Sequence, residues 1–356
     1  MTITRDRVSA CQQRLIDVFL GKAADRPSSP VANPIMEDWD WYQGVALFGL
    51  YQYVQKTGDA RVRRYLHRWF DHHFRIGLPG KNVNSICPML TLSYLYEETG
   101  NETYRRYLDE WLYYAMNDLP RTVEDGFQHK TRDSENEMQL WDDTLYMTVL
   151  FIARQGALLQ DDRLIQESIR QYLIHLKYLT DPVTGLFFHG WTFDGCHHFA
   201  GALWGRGNAW YIAGLVDYLD IAPIPDGVRA VLLSALQRQA EALLRLQDQE
   251  GMWHTLLNEV DTSYPESSAT AGIAYGLLKS IRKGYLDGET YLRPALKAAA
   301  AILSRIDEDG ILTQTSAGTC VGSTLDYYRS IPLGVQPYGQ SMALLMLVEL
   351  ENHICG

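Results

Sequence analysis

Trp41-Tyr42-Gln43-Gly44-Val45-Ala46-Leu47-Phe48, then Thr57-Gly58-Asp59, then Arg61-Val62-Arg63-Arg64-Tyr65-Leu66, reads as one helical hairpin. The first arm is apolar or small at almost every position, so its helix is buried on most sides. The second arm sets apolar residues among charged ones at helical spacing, so its helix keeps one wet face. Gly58 stands where a helix ends in left-handed backbone, and Asp59 where the next one is capped. The stretch therefore predicts an inner helix followed by an outer one.

The hairpin recurs along the chain. Thr99-Gly100-Asn101 and Gln160-Asp161-Asp162 are equivalent turns. Small and apolar arms return at Cys87-Pro88-Met89-Leu90, Asp143-Thr144-Leu145-Tyr146-Met147, Gly207-Asn208-Ala209-Trp210, Ser268-Ala269-Thr270-Ala271 and Gly339-Gln340-Ser341-Met342. Periodicity predicts about twelve helices, over 5–21, 37–57, 59–75, 85–99, 101–118, 142–159, 161–179, 206–220, 226–248, 267–283, 288–306 and 338–353. A second repeat lies in the longer connections. Asp125-Gly126-Phe127-Gln128-His129 is echoed by Thr184-Gly185-Leu186-Phe187-Phe188-His189, by Glu250-Gly251-Met252-Trp253-His254 and, more loosely, by Asp309-Gly310-Ile311-Leu312-Thr313-Gln314. Each reads as a glycine turn followed by a short strand-like segment. Six hairpins with long connections on one side predict an all-α fold, an (α/α)6 barrel with strand-like segments at its mouth. Helix 5–21 would pair with helix 338–353 to close the ring, and the chain 1–356 reads as a single such domain. An open α-solenoid is the alternative, but solenoid repeats are more regular in length.

The bulk properties narrow the function. A 356-residue chain with 46% hydrophobic residues can build a large core, and 21% charged residues without long charge runs argue against disorder. The formal net charge of −11 and the lack of a basic stripe exclude nucleic acid and anionic membrane as natural partners. No apolar run is long enough to span a membrane. Cys11, Cys87, Cys196, Cys320 and Cys355 show no metal-ligand spacing and are odd in number, so they read as reduced thiols. With no signal-peptide pattern at Met1-Thr2-Ile3-Thr4-Arg5-Asp6-Arg7, the expected location is cytoplasmic.

Chemistry is expected where Gln139-Leu140-Trp141-Asp142-Asp143-Thr144 opens an inner helix. An acid there can cap the helix or act as a chemical group. Seven of the nine tryptophans (Trp39, Trp41, Trp141, Trp191, Trp204, Trp210 and Trp253), with Tyr42, fall at inner-helix starts or in mouth connections. Flat apolar faces edged with donors suit sugar rings. His129, His189 and His254 recur at equivalent places. They can be substrate contacts, structural hydrogen-bonding groups or, less naturally given their separate hairpins, a metal triad. Arg206 follows Trp204-Gly205 and is either a loop arginine or a carboxylate clamp.

These motifs together resemble the unsaturated rhamnogalacturonyl hydrolases (glycoside hydrolase family 105), relatives of the family 88 unsaturated glucuronyl hydrolases. The resemblance is carried in order by Trp41-Tyr42-Gln43-Gly44-Val45-Ala46, Arg121, Asp125 to Lys130, Gln139 to Met147, His189-Gly190-Trp191, Trp204 to Trp210 and Glu266-Ser267-Ser268-Ala269. It implies the six-hairpin toroid, with Asp143 as the acid/base and Asp142 as a neighbour without that role. It implies Arg206 on the substrate's uronate carboxylate, aromatic contacts from Trp41, Trp141, Trp204 and Trp210, and polar contacts from His129 and His189. Asn84 stands where the family commonly has an aspartate, and an amide cannot hold a negative charge. The implied reaction is hydration of the C4–C5 double bond of an unsaturated galacturonic acid in a small anionic oligosaccharide from pectin, with no metal and no cofactor. The alternatives are an unsaturated glucuronyl hydrolase, a sugar epimerase on the same toroid, and a binding module without turnover.

Overall fold

The computed structural model describes residues 3–21 and 34–354, so Cys355 lies outside the described residues. The turns form for local reasons. Gly58 adopts φ 72° and its N–H closes on Val54 O, while the Asp59 carboxylate accepts from the N–H groups of Arg61 and Val62. Gly100 and Asn101 repeat the device, and at the third turn Gln160 takes the left-handed backbone itself before Asp161 caps.

The helices are α1 (Arg5–Leu20), α2 (Trp41–Thr57), α3 (Ala60–Ile76), the short α4 (Val83–Ile86), α5 (Pro88–Thr99), α6 (Glu102–Tyr113) and α7 (Leu150–Leu159). They continue with α8 (Asp162–Leu179), α9 (Gly205–Ile221), α10 (Asp226–Leu246), α11 (Ser267–Arg282), α12 (Gly288–Arg305), the short α13 (Leu325–Arg329) and α14 (Pro337–Leu350). Six of them form a closed ring in which α2 packs on α5, α5 on α7, α7 on α9, α9 on α11, α11 on α14, and α14 on α2. The outer helices back this ring, and α1 packs on α14 and α3, which completes the (α/α)6 toroid. Burial follows the two kinds of arm. Every residue of α9 from Gly205 to Leu219 is buried, whereas α3 buries only Val62, Tyr65, Leu66, Trp69, Phe70 and His73, one stripe at helical spacing. The small residues let inner helices touch: a Cβ at Gly276 would come within 2.7 Å of the Ile212 side chain.

Boundaries differ from expectation where local chemistry intervenes. The predicted helix 85–99 is broken, because Pro88 cannot donate within a helix and starts α5 instead. The predicted helix 142–159 opens with a wider π-turn over Leu145–Val149, a form common at functional sites. The chain before Trp41 is not helical from 37, since Asp40 caps α2.

The mouth is built from the connections into the inner helices. Strand β1 (Gln139–Trp141) pairs antiparallel with β2 (Gly190–Thr192), and β3 (Thr315–Ser316) with β4 (Leu333–Gly334). Single bridges Arg121–Phe127, Thr180–Phe187 and Ile306–Leu312 recur at equivalent places, which is the strand-like repeat read from the sequence. Two tryptophans assigned to the mouth are core instead. Trp39 stacks on Trp69 at 5.1 Å and donates to Ser85 O, and Trp253 is buried with its indole N–H on Leu243 O. No helix among the described residues is long and apolar enough to cross a membrane.

Candidate active site

The β1–β2 register sets Trp141 opposite Gly190 and brings Asp142 and Asp143 beside His189. The Asp142 N–H donates to His189 O at 3.0 Å, and Asp143 Oδ2 lies 3.3 Å from His189 Nε2. Neither acid serves as a side-chain cap. The Asp142 side chain is fully buried, and its oxygens have no partner beyond the adjacent Asp143. The capping alternative is therefore set aside.

His189 is held from its far side. Its Nδ1 lies 2.8 Å from the Tyr328 hydroxyl, which also accepts the Gly322 N–H at 3.0 Å. We assign the remaining Tyr328 proton to Nδ1, which gives His189 the tautomer whose Nε2–H faces Asp143. Tyr328 sits on the segment 317–332 that links β3 to β4. This segment roofs the site: Ala200 N–H donates to Gly322 O, and a Cβ at Gly190 would meet Val321 at 2.8 Å.

His129 forms the opposite wall. Its ring stacks on Trp141 at 4.3 Å and 11°, and its Nδ1 lies 2.8 Å from Thr144 Oγ1. Burial drives the His129 pKa down to about 4 against the pull of Asp143, and burial likewise lowers His189. Both rings are neutral at pH 7. For Asp142, burial and then the neighbouring Asp143 charge push the carboxyl well above the usual range. For Asp143, burial pushes up, but the hydrogen bond from His189, then the charges that His189 and His129 carry in acid and the Asp142 hydrogen bond, outweigh it and hold the carboxyl at about 2. The proton is thus favoured on Asp142 and the negative charge on Asp143.

Arg206 is also in the mouth, at the start of α9, and it is not a loop arginine. It is buried, lies over the Trp204 ring at 4.5 Å and over Tyr338 at 4.9 Å, and has Glu266 Oε1 at 3.9 Å. Its terminal nitrogens donate to Ser316 O at 3.0 Å, Ser316 Oγ, Ala317 O at 3.0 Å and Thr319 Oγ1 at 2.7 Å. This corrects the expectation of a free two-pronged clamp, because only Nε–H is left without a partner. The indole N–H groups of Trp204 and Trp210 are likewise buried and unpartnered.

The other expected residues distribute as follows. Trp41 lies 4.5 Å from Tyr338 and edge-on to Trp210 at 5.9 Å, so the three share one aromatic wall. Trp204 packs on His189 at 4.0 Å. Asn84 is partly buried in α4, which packs on the π-turn that follows Asp143. His254 does not join the site: its ring nitrogens are used by Ser263 O at 2.7 Å and Asp248 at 3.2 Å, so the three recurring histidines form no metal triad. Among the described residues, only Asp142, Asp143 and His189 bring ligand-type atoms within 4.8 Å of one another. The assigned His189 tautomer has its proton on Nε2, which removes the lone pair a cation would need.

Sequence reading missed Tyr328, whose partner His189 is 139 residues away. It also missed the role of Glu266, whose carboxylate caps α11 through Ala269 and accepts the Ser316 N–H at 2.7 Å. Glu266 stood in a recognised motif, but nothing in the motif points to Arg206.

The family described as Glycosyl Hydrolase Family 88 matches residues 17–354. The chain is 34% identical to the unsaturated rhamnogalacturonyl hydrolase YesR of Bacillus subtilis (strain 168), over 88% of this chain and 89% of that protein. It is similar to a crystal structure described as a possible member of the GH105 family from Salmonella enterica, with TM-score 0.93, 42% identity and 99% and 96% of the two chains covered. The fold extends to the unsaturated glucuronyl hydrolase of Bacillus sp. GL1, with TM-score 0.75, 20% identity and 98% and 97% covered.

Proposed function

We propose a substrate and a catalytic residue for a chain that belongs to the Glycosyl Hydrolase Family 88 and is a glycoside hydrolase. The substrate is a short, pectin-derived oligosaccharide with a 4,5-unsaturated galacturonic acid at its non-reducing end, linked to rhamnose. The observation that carries the reading is the buried Asp142–Asp143 pair facing His189 within a tryptophan-lined mouth. Similarity to YesR, named for this activity, supports it.

In ordinary glycoside hydrolysis two carboxyl groups flank the scissile bond with several ångströms between them. Here the two acids are sequence neighbours, an arrangement suited to moving one proton. Asp143, when protonated, donates to C4 of the enol ether. Positive charge develops at C5, water adds there, and the Asp143 carboxylate takes the water's proton. The resulting hemiketal opens and the C–O bond to rhamnose breaks. The acid is regenerated, so a single residue serves as acid and base. Trp41 and Trp141, which keep a little exposed surface, are the aromatic groups offered to the sugar rings. The charge of Arg206 attracts the substrate carboxylate, while its Nε–H and the Trp204 and Trp210 N–H groups are unpartnered and sealed from solvent behind the mouth. Neutral His189 supplies an N–H to the Asp143 carboxylate formed in each turnover. The reading includes a cytoplasmic site of action on imported oligosaccharides, supported by Cys11, Cys87, Cys196 and Cys320, which are free thiols.

The test is loss of the double-bond ultraviolet absorbance of unsaturated galacturonyl-rhamnose. Wild type is expected to consume it, and Asp143→Asn to fold normally and leave it intact. An unsaturated glucuronyl disaccharide consumed faster than the galacturonyl one would overturn the substrate, and near wild-type rates in Asp143→Asn would overturn the residue.

A further inference from the structure

We propose that Asp142 and Asp143 share one proton, which rests on Asp142 and reaches the substrate from Asp143. The inference rests on the reading of Asp143 given above and adds a residue to it. Asp142 is fully buried, and its oxygens meet no hydrogen-bonding group other than the adjacent Asp143. A lone carboxylate so placed would cost far more than a neutral carboxyl group, so the proton stays on it. A neutral carboxyl has one O–H to give. The carboxylate among the close-set groups is Asp143, whose Oδ2 lies 3.3 Å from His189 Nε2 and whose other oxygen is not among the buried, unpartnered atoms as both Asp142 oxygens are. The groups facing Asp142 are Asp143, Arg206 and Tyr328, and those facing Asp143 are also His189, His129 and Cys320.

The surroundings also accept the reverse state. Asp142 Oδ2 packs against Gly207, in the first turn of α9, so closely that any Cβ there would collide with it. The positive end of a helix and the adjacent Arg206 are the surroundings that stabilise a transient anion. When a substrate carboxylate enters, its negative charge raises the proton affinity of Asp143. The O–H bond on Asp142 then breaks as one forms on Asp143, with no change in the charge of the pair. Asp143 gives that proton to C4, and the proton taken from water restores it. Asp142 thus touches no substrate atom. It is a positioning residue for the proton, and it keeps the acid supplied at a pH where Asp143 alone would be empty.

Two measurements test this. First, kcat/KM is measured against pH for wild type and Asp142→Asn. A pair with one proton keeps a constant active fraction over its whole singly protonated range, so wild type is level from about pH 5 to pH 7. In the variant Asp143 must be protonated from solvent alone, so kcat/KM falls tenfold per pH unit, about a hundredfold between pH 5 and 7. A variant slowed by one factor at every pH, or a wild type that declines from pH 4 upward, overturns the proposal. Second, wild-type protein with 13C-labelled aspartate carboxyl groups is titrated by NMR, which needs neither turnover nor a folded variant. Two carboxyl carbons are expected to move together in one step above the ordinary carboxylate range. Two independent ordinary titrations overturn the shared proton even if the enzyme is active. A shared titration without consumption of substrate overturns the substrate reading and leaves this one standing.

Discussion

Replacing Glu266 with alanine is expected to destabilise the protein more than loss of an ordinary helix cap. Glu266 is fully buried and accepts from the Ala269 N–H, the Ser316 N–H and the Ser268 hydroxyl, with the buried Arg206 guanidinium at 3.9 Å. Among the described residues Arg206 has no other carboxylate within ion-pair distance. Leaving a buried charge without its partner costs about 3–5 kcal/mol. Orphaning the Ala269 and Ser316 N–H groups costs about 1–3 kcal/mol each, but all these losses share one site and do not add. The expected fall in unfolding free energy is about 4 kcal/mol for Glu266→Ala. For Glu266→Gln, which keeps the size and one acceptor, it is about 2 kcal/mol. The assay is urea unfolding followed by both tryptophan fluorescence and circular dichroism, whose transitions must coincide for the free energies to be meaningful. A loss below about 1 kcal/mol in Glu266→Ala would refute the reasoning, because it would mean that Arg206 does not depend on this charge.

Other outcomes follow from the same geometry. Tyr328→Phe removes the hydroxyl that fixes the His189 tautomer, so kcat should fall about fivefold to tenfold, the worth of one hydrogen bond, with KM little changed. An NMR spectrum of 15N-labelled histidine should show the His189 proton redistributed between its nitrogens, and an unchanged tautomer would sink the idea. Stability should decline with acid through His129. Its folded pKa, about 4, lies below the unfolded value near 6.5, so the unfolded state binds more protons between them. That stabilisation is complete above about pH 6.5, is lost as pH falls towards 4, and totals roughly 3 kcal/mol. Urea midpoints at pH 7, 5.5 and 4 check this, and His129→Gln should flatten the slope by up to about 1.4 kcal/mol per pH unit.

The hairpin order was legible in the sequence because it is a one-dimensional signal. Gly58-Asp59 and Gly100-Asn101 announce a turn through backbone and capping chemistry confined to neighbours, and the apolar count of each arm states how many of its sides are buried. Closure of the ring followed once six such arms were counted. Motif order pointed to Trp141, Asp143, His189, Trp204 and Arg206 as one group, and the structure brings them together at one mouth. The failures share a cause. Trp39 and Trp253 look like mouth residues in the sequence but turn into the core, because the direction of a loop side chain is set by what packs on it. The residues that hold the Arg206 terminal nitrogens, 316–319, are likewise invisible in sequence order, because they lie more than a hundred positions away.

What the sequence alone determined, then, is the inventory and the ring: which helices are inner, where the acids and tryptophans sit along the chain, and that one end carries them. Only the tertiary structure decided protonation. Asp142 and Asp143 are the same residue type side by side, and no local rule separates them. Complete burial makes one a proton store, and the N–H of His189, itself aimed by Tyr328, favours the anion on the other. Charge in a buried site depends on every dipole and void around it, and those come from elements that meet only when the ring closes.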